Sequence, residues 1–110
     1  MTKRIPESAW AFELHKFTSR NAGRATRLEI DTPDFGAHRQ TGFPLRGIAY
    51  DSRDARVLIT LGNQASADRF LTHAIDNAEA IFVLIDQRGR DEALAIAQKN
   101  SQTLLRFLDL

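Results

Sequence analysis

The sequence predicts an α+β domain in which one amphipathic helix is followed by a strongly bent antiparallel sheet of about six or seven strands, a small-barrel meander. Three observations carry this expectation. Large apolar residues recur at helical spacing in the first twenty positions, the spacing switches to every second residue from Arg24 onward, and five consecutive apolar residues, Ile81 to Ile85, stand between turn-rich segments. At 110 residues, with 43% apolar and 26% charged side chains, the chain can close one core and has no room for a second, so residues 1–110 read as a single domain.

Pro6 opens the helix, since its fixed φ suits a first helical position where no N–H is needed. Trp10, Leu14 and Phe17 follow at i, i+4 and i+7 and form one apolar stripe, with Glu13, Lys16 and Arg20 for the wet side. Asn21 and Gly23 end it, which bounds the helix at about residues 6–21. Thr26, Leu28 and Ile30 then alternate with Arg27, Glu29 and Asp31, the pattern of a half-buried strand. Residues 32–44 hold two of the three prolines and two of the six glycines, and are expected to form a long mobile loop. An extended stretch from Leu45 to Asp51, a turn at Asp51-Ser52-Arg53-Asp54 and the run Val57-Leu58-Ile59-Thr60-Leu61 make a hairpin. Residues 62–68 read as a polar loop, Phe70 to Ile75 as a short strand, and Ala80 to Asp86 as a strand in the middle of the sheet. Gln87-Arg88-Gly89-Arg90 is a turn whose glycine suits positive φ. Ala93, Leu94 and Ala97 favour a helix on propensity, yet a segment joined by short turns to two strong strands pairs more easily than it crosses over. Thr103 to Leu108 is the last strand.

The absence of cysteine excludes disulfides, zinc–thiolate sites, iron–sulfur clusters and thiol nucleophiles. No stretch reaches the ~20 apolar residues that cross a bilayer, and Met1-Thr2-Lys3-Arg4 runs into Pro6 and Glu7 rather than the apolar core of a signal peptide. A cytoplasmic protein without membrane contact is the expectation. His15, His38 and His73 lack ligand spacing to one another, no serine stands in G-x-S-x-G, and the glycines are scattered rather than gathered in a phosphate loop. No catalytic residue, metal or cofactor is therefore expected.

His73 shares a strand face with Leu71 and Ile75, where a histidine ordinarily packs and hydrogen-bonds; an acid, base or ligand role would need Asp76 or Arg106 in a common pocket. Twelve of the fifteen basic residues are arginine, and Arg forks onto carboxylates and phosphates. Lys3, Arg4, Lys16, Arg20, Arg24 and Arg27 face only Glu7 and Glu13 over the first 27 residues, so Arg20, Arg24 and Arg27 are candidate binding residues on a basic edge, or simply its solvated side. The net charge of +1 is far from that of a dedicated nucleic-acid binder, and stacking aromatics are scarce, Tyr50 being the single tyrosine.

Ile5-Pro6 with Trp10, Phe17 with Ser19-Arg20, Leu28-Glu29, Pro33-Asp34-Phe35-Gly36-Ala37, Pro44-Leu45 with Gly47-Ile48, Leu61-Gly62, Leu71-Thr72-His73 with Ile75, Ala93-Leu94 with Ile96 and Thr103-Leu104-Leu105-Arg106-Phe107 form a familiar succession. In order and approximate spacing the chain resembles a family of small bacterial proteins known as domain of unknown function number 5335. The resemblance implies a fold and a bacterial source, and no activity. The family often has histidine at the position of Phe70, which with His73 would make a His-x-x-His pair; phenylalanine here weakens any metal or acid–base role that the resemblance would carry over. The strand succession is also similar to the Sm-like barrels, a likeness of fold alone. Such barrels often assemble edge to edge, so a homo-oligomer, most simply a two-fold dimer, is expected.

The leading expectation for function is a non-catalytic interaction module that recognises its partner through a sheet edge or the arginine-bearing surface. An RNA-binding Sm-like oligomer is one alternative, and a small-ligand protein or enzyme with a pocket around His73 is another.

Overall fold

The computed structural model describes residues 1–32, 36–62 and 70–109. The helix lies where its stripe places it, with its first turn tighter than expected. Pro6 (φ −58°) precedes a 3₁₀ turn, Glu7–Ala9, and the α-helix α1 runs Trp10–Asn21. Trp10, Leu14, Phe17 and Asn21 are its buried residues, and the Trp10 indole N–H donates to the Ile5 carbonyl at 3.0 Å. Each of the three apolar side chains contributes about 1.5–3 kcal/mol through burial. Gly23, at φ +88°, turns the chain out of the helix.

The strands number eight, not six or seven: β1 (Thr2–Ile5), β2 (Ala25–Thr32), β3 (Gly36–Asp51), β4 (Arg56–Gly62), β5 (Phe70–Asp76), β6 (Ala80–Ile85), β7 (Asp91–Ala97) and β8 (Gln102–Phe107). Two expectations fail here for one reason, namely that pairing partners supply what local composition does not. Thr2–Ile5 carries two cations in four residues and no apolar alternation, yet it pairs along β6, with Ile5 opposite Ile81. Residues 36–44 belong to β3 despite Gly36, Gly42 and Pro44, because they pair with β2 from Gly36 opposite Thr32 to Pro44 opposite Ala25. Proline is tolerated there at an irregularity in the ladder, and Gly42 takes φ +96° beside it. Residues 33–35, from the expected long loop, and most of the expected loop at 62–68 lie outside the described residues.

All ladders are antiparallel, in the order β1-β6-β7-β8-β2-β3-β4-β5. Read from β2, this is a meander β2-β3-β4-β5, a second meander β6-β7-β8, and a return in which β8 pairs with β2. The sheet bends at β3, whose first half pairs with β2 and whose second half, from Leu45, pairs with β4. Residues 77–79 alone join β5 to β6, although these strands lie near opposite ends of the order, so the sheet must curl round. The Gln98 side chain closes that curl by donating to the Asp76 carbonyl at 2.7 Å. No ladder joins β5 to β1 among the described residues, so the sheet stays open and is not a closed barrel.

α1 lies inside the curl, against β3. The Thr18 hydroxyl accepts the Ile48 N–H at 2.9 Å, Trp10 meets Tyr50 edge to face at 5.2 Å, and Phe17 stacks on Phe107 at 5.8 Å. Backbone bonds Gly23 N–H to Leu45 O (2.8 Å) and Leu45 N–H to Arg24 O (2.9 Å) stitch the end of the helix to β3. One core results, built from Ile5, α1 and the inward residues of β2 to β8, with Leu14, Phe17, Ile59, Ile81, Leu94, Ile96 and Leu105 fully buried. Among the described residues no helix is long and apolar enough to cross a membrane. The segment that holds Ala93, Leu94 and Ala97 pairs as a strand, as its short connections imply: it forms β7, and Gly89 has φ +83° in the preceding turn.

Candidate interaction surface

The register of the ladders defines what the outer face of the sheet displays. One row across it reads Arg4 (β1), Phe82 (β6), Ala95 (β7), Leu104 (β8), Glu29 (β2) and Arg39 (β3); the next reads Thr2, Leu84, Ala93, Arg106, Arg27 and Thr41. Their strand neighbours, Ile81, Val83, Leu94, Ile96, Leu105 and Leu28, are core residues, so alternation directs these rows away from the core. The helix covers the other side. Phe82, Leu84 and Leu104 are half-buried on this face, and between them the small alanines of β7 are shielded by their taller neighbours, Ala93 completely. The result is an apolar strip on β6–β8 next to a charged strip on β8–β3.

Arginines suspected from the sequence separate into two groups. Arg20 and Arg24 lie at the end of α1. The Arg20 Nε donates to Asp91 at 2.9 Å, and Asn21, itself buried, donates to the same Asp91 oxygen at 2.8 Å. Arg24 donates to the Asn21 side-chain oxygen (2.7 Å), to the Asp91 carbonyl (2.9 Å) and to the Asp109 carboxylate (2.7 Å). Its guanidinium also lies 3.9 Å from the centre of the Phe107 ring, and that of Arg20 lies 5.7 Å from Phe17, so two cations cap the stacked rings of the core. The Arg24 guanidinium beside it is the main reason that the Asp109 carboxyl sits below the usual carboxylate range. This cluster fastens the helix to the start of β7 and to the carboxyl-terminal residues.

Arg27 and Arg106 form the second group and are direct cross-strand partners on the outer face. Neither has a carboxylate within salt-bridge distance among the described residues, and the Nε of Arg27 is buried without an acceptor. Glu29, the nearest acid in the register, is 3.6 Å from Arg39.

His73 lies on the inner face of β5, between Leu71 and buried Ile75 and opposite Ile59, as its alternation implies. Burial pushes its imidazole below its ordinary pKa. Asp76 is exposed and accepts Arg56 Nε at 2.7 Å, while Arg106 is on the opposite face of the sheet. The structure does not bring His73, Asp76 and Arg106 together. Among the described residues no group of three or more His, Asp or Glu is placed to hold a metal ion.

One family model, that of a family of unknown function (DUF5335), matches residues 1–109. The chain belongs to that family. No curated protein and no solved structure matches it. For this DUF5335 member the site therefore has to be read from its own side chains. Asp91, Asn21 and Asp109 of the helix clamp were not legible from the sequence, because partners some 70 to 85 positions apart leave no spacing signal. Phe82 and Leu104 were legible only as strand residues. A continuous apolar run signals burial on both faces, whereas the outer face of β6 and β8 carries no second layer of the described chain.

Proposed function

We propose that the chain is a non-catalytic interaction module that meets a second copy of itself through the outer face of β6, β7 and β8. The apolar make-up of that face supports this reading. Phe82 and Leu84 on β6 and Leu104 on β8 close over the buried alanines of β7, so the three strands present one continuous apolar face. An apolar face of this kind can meet its own copy across a two-fold axis, where the same patch lies on both sides. Closing the two faces removes half-exposed apolar side chains from water, at about 25 cal/mol for each Å².

RNA binding is less well supported: Phe12 and Phe43 are exposed, yet the net charge of +1 supplies little of the phosphate attraction that such binding rests on. A catalytic pocket around His73 lacks the partners it needs, Asp76 and Arg106 being on the other face of the sheet.

Sedimentation equilibrium tests the reading. Wild-type protein is expected to populate a dimer in a concentration-dependent way, and Leu104→Asp to remain monomeric with an unchanged circular dichroism spectrum. A wild-type protein that is monomeric at every concentration overturns it.

A further inference from the structure

We infer that Arg27 and Arg106 form a receptor for a phosphate group on the outer face of the sheet. The inference goes beyond self-association and does not depend on it. Two like charges placed directly opposite on neighbouring strands oppose pairing, and strand partners in such positions are ordinarily of opposite sign. Here the row offers no relief, since Arg106 is flanked by Ala93 and Arg27 by Thr41. The diagonal acid, Glu29, is occupied by Arg39. The Nε of Arg27 is withdrawn from solvent with no acceptor among the described residues, so the fold supplies this guanidinium with no counter-group of its own.

The charge count selects the ligand. Two guanidiniums carry two positive charges, which a single carboxylate cancels by half. A phosphate group carries about −1.5 to −2 near neutral pH and presents three strong acceptor oxygens, enough for both forks.

The test is a titration of ¹⁵N-labelled protein with inorganic phosphate, following the arginine Nε–Hε resonances against sodium chloride at matched ionic strength. Arg27 and Arg106 are expected to shift together on one saturating curve. In Arg106→Gln the affinity reported by Arg27 should fall about tenfold or more, with Arg106→Lys, which keeps the charge and loses the fork, in between. The amide spectrum of each variant reports its fold, and the wild-type curve decides the matter if a variant does not fold. Shifts no larger than those with chloride, or an Arg27 response unaltered in both folded variants, overturn the inference. Sedimentation equilibrium reads self-association separately, so either claim can fail alone.

Discussion

Arg20 and Arg24 differ from Arg27 and Arg106 in what stands opposite them, although all four carry the same side chain on a basic, sheet-rich background. The first two meet Asp91, Asn21 and Asp109, and press on the aromatic rings at the end of the core. The second two meet each other. A matched guanidinium fastens elements together and is spent on the fold, whereas an unmatched pair contributes little to folding and keeps its hydrogen-bonding capacity for something outside the chain. The number of arginines therefore says less about binding than the number left without an acid.

The sharpest way to break this comparison is to remove the acid at the centre of the matched group. Asp91 is 8% exposed and holds Arg20 and Asn21 through one carboxylate oxygen, so Asp91→Ala takes one of two acceptors from the buried Asn21 amide, which also donates to the Phe17 carbonyl, and the partner of the half-exposed Arg20 guanidinium. The expected loss is about 1–2 kcal/mol in urea unfolding. A loss below about 0.5 kcal/mol, the range of an ordinary surface change, would place the cluster among the decorative ion pairs.

A smaller effect concerns Asp109. Its carboxyl is held below the usual range chiefly by the hydrogen bond from Arg24, so the interaction is complete above the ordinary aspartate value of about 3.9 and is lost as pH falls through the lower, folded value. Carboxyl titration followed by NMR should find Asp109 below the common range in wild type and moved upward in Arg24→Gln. An Asp109 titration unaltered by that substitution would show that Arg24 does not set it.

Most of the architecture was legible because it follows from local pattern. The Trp10, Leu14 and Phe17 stripe and the alternation of Thr26, Leu28 and Ile30 each name a face, and the structure buries those faces. Leu94 and Ile96 face the core as strand residues although Ala93, Leu94 and Ala97 favour helix, because short connections to β6 and β8 decide the pairing. What local pattern does not carry is long-range register. β1 is a strand only because β6 accepts it, and residues 36–44 are a strand only because β2 does. Register also decides the candidate site. Arg27 and Arg106 lie 79 positions apart and become a pair only when Arg27 falls opposite Arg106 in the β2–β8 ladder. His73 and Arg106, which the sequence offered as possible companions, are parted by the same rule of alternation.

The most direct measurement is a side-by-side urea unfolding of two double variants, Arg20→Gln with Arg24→Gln and Arg27→Gln with Arg106→Gln. The first should lose about 2 kcal/mol or more, since it strips acceptors and a buried amide of their partners, while the second should stay within about 0.5 kcal/mol of wild type. Equal losses in the two, or a larger loss in the second, would contradict the division between arginines that hold the fold and arginines that wait for a ligand.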